Sequence, residues 1–288
     1  MANLRDIRRR IKSVKNTAQI TKAMQMVAAS KMRKAQQAAI NGRDYAQLMN
    51  RVIVSLRDAV DPAAHPLLAR REVKHELVLL LSTDKGLCGA LNTNLFREAL
   101  TFDPATTSFI SVGRKGTQFL ARMGRTMLAD FPLRDHPSFL ETKAISKFCI
   151  EKFLDGSADK VTVLFPMFVN TLSQIPKAMP LLPLTSLEEV GLTNEYGVAP
   201  SFDGGILFEP DASQVLDAIL PAYVHFGVYQ TLLGTRASEQ SARMVAMKSA
   251  TDNARNLVKD LTLEYNKARQ ASITNEILEI STAQLALG

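Results

Sequence analysis

The stretch Met244–Asn275, MVAMKSATDNARNLVKDLTLEYNKARQASITN, decides the architecture. Alternating steps of three and four residues pick out Met244, Met247, Thr251, Ala254, Val258, Leu261, Tyr265, Ala268, Ser272 and Asn275. That spacing is the seam of a coiled coil, sustained for about four heptads. The seam is poor in Leu and Ile and rich in small or polar side chains. Small residues let two backbones approach closely, but they bury less apolar area per turn. A second stripe, Ile273, Ile277, Ile280 and Leu287, follows Ala271 and is displaced from the first. Two readings stay open for it: the tip faces something besides a partner helix, or a straight helix drifts against a heptad frame.

The partner helix is sought at the other end of the chain. All 12 prolines lie between Pro62 and Pro221, so both ends lack the residue that most strongly breaks helices. In the N-terminal arm Leu4, Ile7, Ile11, Val14, Ala18 and Thr21 keep the same alternation. The pattern then reads as shifting by one residue to Ile20, Met24, Val27 and Lys31, and resuming at Met49, Val52 and Leu56. Such an arm extends over about 55 residues, or roughly 80 Å, and needs a partner to be stable. The expected organisation is a helix over 1–60, an α/β domain over 61–210 and a second long helix over 211–288. The fold class is therefore α/β plus a long α-helical coiled coil, with the α/β domain inserted between antiparallel helices.

The middle reads as alternating strands and helices. Leu77–Ser82 (LVLLLS), Ser108–Val112 (SFISV) and Val161–Phe165 (VTVLF) are short apolar runs typical of strands buried on both faces. Helical stretches are expected over Thr93–Leu100, Thr117–Met123 and Ser138–Leu154, which implies a mainly parallel sheet with helices on its faces. Pro176–Gly205 is turn-rich and is expected to return as an edge strand before Pro210. Glu209–Ser213 reads as the entry to the last helix.

Composition excludes several classes. A charged fraction of 22% argues against general disorder. Two cysteines, Cys88 and Cys149, show no metal or redox spacing and favour a reducing compartment. No run of about 18 apolar residues and no apolar signal-peptide core are present. The net charge of +7 is uneven. Residues 1–57 hold thirteen Lys or Arg against Asp6 and Asp44, whereas 212–288 hold seven charges of each sign. The basic arm suits an acidic protein surface or nucleic acid, and a merely solvated face is the plain alternative.

A search for chemistry finds little. The turn Thr83–Asn92 (TDKGLCGALN) follows a strand and precedes a helix, where phosphate sites occur. It lacks both the G-x-x-x-x-G-K-[ST] and the G-x-G-x-x-G spacings, and a tight packing turn is the favoured role. No sequence signature supplies Cys88 with a base, and the four histidines are scattered. Asp252, Asp260 and Glu264 read as a solvated helix face. No cofactor or metal is expected, and no catalytic constellation is found.

Three segments resemble the gamma subunit of F-type ATP synthases: Ile11–Arg33 (IKSVKNTAQITKAMQMVAASKMR), Thr83–Asn92, and Ala237–Gln284 with ASEQSARMVAMKSATDNA and YNKARQASITNEILEI. They occur in the family's order, and the resemblance covers the whole chain. Ala254 with Arg255, and Ala90, stand where many relatives carry glycine. The resemblance implies a central-stalk rotor that is not itself an enzyme. It turns within a hexamer of alternating alpha and beta subunits, beside the epsilon subunit and a membrane ring of c subunits. It implies contact of Lys22, Met24, Arg243, Arg269, Gln270, Thr274 and Glu276 with beta-subunit loops. The apolar tip, Ile273, Ile277, Ile280 and Leu287, would turn in an apolar sleeve of the hexamer. Phe208, Glu209 and Asp211 fall on the side of the ring and epsilon. Asp84, Lys85, Gly86 and Gly89 form a packing turn against the coiled coil. The implied location is the cytoplasmic face of a bacterial inner membrane, reached only through the ring. Two alternatives are a basic coiled-coil nucleic-acid binder, which the absence of any aromatic residue before Tyr45 disfavours, and a nucleotide-dependent enzyme using the Gly86 turn.

Overall fold

The computed structural model describes residues 4–42, 45, 48–49, 52–53, 65–69, 71–132, 137–184, 209 and 211–287. The elements are α1 (Leu4–Asn41), β1 (Glu76–Leu81), α2 (Leu91–Ala99), β2 (Thr107–Val112), α3 (Arg114–Arg122), β3 (Met127–Phe131), α4 (Phe139–Leu154), β4 (Lys160–Phe168), β5 (Gln174–Leu182) and α5 (Ala212–Leu287). Two compact units emerge: Met1–Ala28 with Arg243–Gly288, and Ala29–Ala242.

The first unit is built from α1 and α5. On α5, Met247, Thr251, Ala254 and Leu261 are buried, and Met244, Val258, Tyr265, Ala268 and Ser272 are half-buried. This is the seam expected from the spacing, and it ends at Ser272, because Asn275 is exposed. On α1 the expected shift is met only in part, since Met24 and Lys31 are half-buried. Ile20 and Val27 are 60% and 54% exposed, while Thr21 is half-buried and Ala28 is 1% exposed. The most buried position here keeps the original frame, where the small Ala28 lets the backbones approach closely. Thr21 and Thr251 share a hydroxyl–hydroxyl bond of 2.7 Å, and Thr251 Oγ1 also donates to the Met247 carbonyl at 2.8 Å. Asp252, Asp260 and Glu264 lie on the exposed face.

The second unit is organised by a five-stranded sheet in the order β3-β2-β1-β4-β5. Strands β1 to β4 are parallel and β5 is antiparallel to β4. Although β1 is apolar throughout, its alternating side chains divide between two cores. Leu77, Leu79 and Leu81 join a cluster with Ile145, Cys149 and Phe153 of α4 and Leu216, Leu220 and Tyr223 of α5. Val78 and Leu80 join Leu95 and Ala99 of α2 and Leu120 of α3. Helix α4 begins with a capping box, in which Ser138 and Glu141 exchange side-chain and backbone bonds.

Two strands were not separated out by the sequence reading. The β3 sequence MLADF is interrupted by Asp130 and none of its residues is buried, as suits the edge that it forms. The other edge, β5, begins at Gln174, ahead of the region read as turn-rich, and accommodates Pro176 and Pro180. Pro176 lies opposite Pro166 of β4, and two residues without N–H groups can only form a non-hydrogen-bonded pair. Pro166 in turn lies beyond Leu164, the last β4 residue paired with β1. An edge strand was expected from the Pro176–Gly205 stretch before Pro210, and β5 overlaps its start; residues 185–208 lie outside the described residues.

Helix α5 starts where Asp211 Oδ1 accepts the Gln214 N–H at 2.9 Å, an N-cap arrangement. It includes Pro221, which lacks the N–H that would bond to the Asp217 carbonyl. Helix α1 ends at Asn41 with Gly42 in a turn, and the described residues beyond it, Tyr45, Leu48, Met49, Val52 and Ile53, are again helical. A Cβ on Gly42 would fall on the Gln230 amide and 3.3 Å from the Phe226 ring. Beyond it Tyr45 meets Phe226 edge-on at 4.8 Å, and Met49 and Ile53 are buried in the core beside α4 and α5.

Candidate functional site

The residues expected to meet beta-subunit loops lie in the first unit. Lys22 is exposed and its Nζ donates to Gln25 Oε1 at 3.4 Å, while Met24 is half-buried. Arg243 is half-buried at the start of the unit's α5 portion. Arg269, Gln270, Thr274 and Glu276 are all exposed. Their bonds stay within the helix: Thr274 Oγ1 donates to the Gln270 carbonyl at 2.9 Å, and Ser272 Oγ donates to Glu276 Oε1 at 3.2 Å. Beyond the end of the seam, Ile273, Ile277 and Ile280 are 45%, 61% and 67% exposed. The Leu287 side chain lies outside the described residues. On the exposed side of α1, Arg5, Arg8, Arg9, Lys12 and Lys15 line a shallow basic concavity.

Within the second unit, Glu209 and Asp211 are exposed, and Phe208 lies outside the described residues. The turn after β1 is tightly built. Ser82 Oγ lies within bonding distance of the Val112 and Gly113 carbonyls and accepts the Gly116 N–H at 2.8 Å. Gly113 has φ +96, and a Cβ there would lie 2.5 Å from the Ser82 carbonyl, so only glycine fits. Asn92 Nδ2 donates to Thr83 Oγ1 at 2.7 Å, and Thr83 Oγ1 donates to the Lys85 carbonyl at 2.9 Å. Gly89 adopts φ +60, whereas Gly86 does not need a positive φ and has open space beside it. Lys85 is exposed. Leu87 holds φ 62 without being glycine and is 63% exposed.

Asp84 connects this turn to two helices. Its Oδ1 accepts the Arg114 N–H at 3.0 Å at the start of α3, and its Oδ2 lies 3.9 Å from Arg236 Nη2 on α5. Arg236 Nη1 donates to Glu239 Oε2 at 2.5 Å, and both residues are buried. Sequence reading missed this pair, although its i,i+3 spacing inside a helix was the available signal. Among the described residues no cluster of His, Cys, Asp and Glu has the geometry to hold a metal ion. Cys149 is fully buried, and desolvation pushes its thiol up to about 12, which makes it an inert core residue.

The family model described as ATP synthase matches residues 3–287. The chain is 52% identical over 292 residues to the ATP synthase gamma chain of Opitutus terrae, covering 99% of each. It is 50% identical to the gamma chain of Methylacidiphilum infernorum over the full length of both. The chain belongs to the ATP synthase gamma-chain family. Among solved structures, a chain of the Tetrahymena thermophila mitochondrial ATP synthase central stalk and c-ring matches with TM-score 0.63 and 28% identity. It covers 80% of this chain and 99% of its own length. A chain from the Euglena gracilis enzyme shares the fold at TM-score 0.67 and 21% identity, covering 99% of this chain and 94% of that one. The nucleic-acid alternative finds no support among these gamma chains. No helix among the described residues is long and apolar enough to cross a membrane.

Proposed function

We propose that this gamma chain is the central-stalk rotor subunit of a proton-translocating F-type ATP synthase. It couples rotation of the membrane c-ring to conformational change at the catalytic beta subunits, in synthesis or hydrolysis. The observation that carries this reading is 52% identity over 99% of the chain to a gamma chain. The chain is non-catalytic, since the reaction takes place at the beta subunits. Each orientation of an asymmetric rotor must favour one beta conformation over another through differential contacts.

The working parts are assigned accordingly. Residues 1–60 and 211–288 supply the coiled coil, and 61–210 supply the α/β domain at its base. Lys22, Met24, Arg243, Arg269, Gln270, Thr274 and Glu276 meet the beta loops. Ile273, Ile277, Ile280 and Leu287 turn in the hexamer's apolar sleeve. Phe208, Glu209 and Asp211 face the c-ring and epsilon subunit. Asp84, Lys85, Gly86 and Gly89 form the turn that packs on the coiled coil. The exposure of Ile273, Ile277 and Ile280 supports a partner at the tip, because three large apolar side chains in two turns otherwise stand in water. The complex sits on the cytoplasmic face of a bacterial inner membrane, and this chain touches the membrane only through the ring.

The test is reconstitution with alpha and beta subunits and a rotation assay, with the probe fixed to the second unit. ATP-driven, unidirectional rotation is expected. An assembly that hydrolyses ATP without turning the probe would overturn the rotor assignment.

A further inference from the structure

From Thr235 to Ser241 every residue of α5 is buried, so the helix is enclosed on all sides in the second unit. Six of these seven residues are polar: Thr235, Arg236, Ser238, Glu239, Gln240 and Ser241. An enclosed helix is ordinarily held by apolar packing, which is non-directional and lets ridges slip past one another. Ion pairs and hydrogen bonds are directional, so they resist rotation of the helix about its own axis.

Two anchors hold this segment. The first is Arg236, paired with Glu239 and lying 3.9 Å from Asp84. Asp84 is itself fixed by the Arg114 N–H, and its turn by the Ser82 bonds. The second is Ser241, whose hydroxyl donates to the Thr171 carbonyl at 2.8 Å in the β4–β5 hairpin. That hairpin is braced by Asn170 Oδ1, which accepts from Leu172 and Ser173, and by Gln174 Nε2, which donates to Asn170 O and Thr171 O. Residues five apart on a helix are separated by about 140° around its axis. The helix is thus gripped on two sides, from the ends of two different strands.

We propose that Arg236, with Glu239, Asp84 and Ser241, is a torsional key that fixes the azimuth of α5. Torque applied to the sheet then enters the helix instead of being dissipated by its rotation in place. Arg236 is a positioning residue: it acts through α5 and touches no nucleotide. The proposal deepens the rotor reading and rests on it.

The test uses the reconstituted complex with the hexamer immobilised and a probe on Leu140→Cys, an exposed site on α4. Both native cysteines are buried, so labelling there is selective. The variant is Arg236→Met with Glu239→Gln, which removes the buried pair together and leaves Asp84, a partly exposed carboxylate that keeps its bond from the Arg114 N–H. Thr235→Val is the control. It removes a buried hydroxyl that has no partner among the described residues, and it is expected to leave the angular distribution unchanged. In the nucleotide-free, stalled complex the double variant is expected to broaden the angular fluctuation of the probe. It is also expected to lower protons pumped per ATP hydrolysed while ATP affinity is retained. Arg236→Lys, which keeps a positive charge, should restore part of the stiffness. A role confined to stability would lower the melting temperature and assembly yield but leave the assembled rotor as stiff as the parent. That result, with the parent complex rotating, overturns the key alone. A parent complex that hydrolyses ATP without rotating overturns the rotor reading with it.

Discussion

The two units bury different chemistry for the same purpose. In the second unit the core is Leu, Ile, Val and Phe, with Leu79, Phe109, Ile110 and Phe153 at 0% exposure. In the first, the buried positions among the described residues are few, and the small Ala28, Thr251 and Ala254 stand among them beside Ile7, Met247 and Leu261. The first arrangement draws little hydrophobic stabilisation from its own seam and relies on close backbone approach. The second carries its own stability. The contrast is that of a domain with an extensive apolar core and a helix pair with little of one.

The largest expected effect tests the self-sufficient side. Phe153→Ala empties a site between α4 and the sheet and should cost about 3–5 kcal/mol in denaturant unfolding of the second unit. A loss well below that range would show that the core collapses into the gap. On the other side, Thr21→Val removes the Thr21–Thr251 bond and should cost about 1 kcal/mol, read as a shift in the helical melting transition. The pair Thr21→Val with Thr251→Val should recover most of that loss, since two valines of similar shape need no hydrogen bond. If the pair is no better than the single variant, the seam depends on the hydroxyls more than on packing.

Acid should separate the units. All four histidines lie outside the first unit. In the second, burial lowers His65 below its ordinary 6.5, and the nearby Asp217 carboxylate opposes this only in part. Burial likewise lowers His225, assisted by the charge of Lys143, and the ring bonds to Ser146 Oγ at 2.7 Å. Folding therefore favours the neutral rings, and the unfolded chain binds more protons below pH 6.5. This contribution is complete above pH 6.5 and is lost as the pH falls through the folded-state values. Unfolding free energies between pH 7 and 5 should fall more steeply for the parent than for His65→Gln with His225→Gln. Equal slopes would exclude the two rings as the cause. The smallest effect on stability belongs to the tip: Ile277→Ser should change the isolated chain by less than about 0.5 kcal/mol. ATP synthesis by the assembled complex should nevertheless fall, and an unchanged rate would argue against an apolar sleeve around that residue.

Much of this was legible in the order of residues. The α5 seam from Met244 to Ser272 followed directly from spacing, because its alternation is unbroken and α5 meets it as one continuous helix. The buried strands β1, β2 and β4 were equally plain, being short apolar runs bounded by turns. What failed did so for physical reasons. The α1 seam was assigned to Ile20 and Val27 because hydrophobicity normally marks the buried side, whereas close helix approach prefers Thr21 and Ala28. Strand β5 was obscured by its prolines, which an edge tolerates and a central strand does not. The Arg236–Glu239 pair went unnoticed because charges inside a helix usually mean solvent, and only three-dimensional enclosure reverses that expectation. The proposed contacts of Arg269 and Glu276 rest on resemblance, since an exposed polar side chain on a helix carries no local sign of a partner.

The prolines of β5 have a consequence for the life of the unassembled protein. Because Pro176 turns its missing N–H away from β4, toward a border that no strand among the described residues pairs with, and Pro180 has the same parity, that border offers an incoming strand few donors. Newly made copies awaiting their partners are thereby discouraged from joining sheet to sheet. A chain whose helices depend on company is protected, along this border, from aggregating with its own kind.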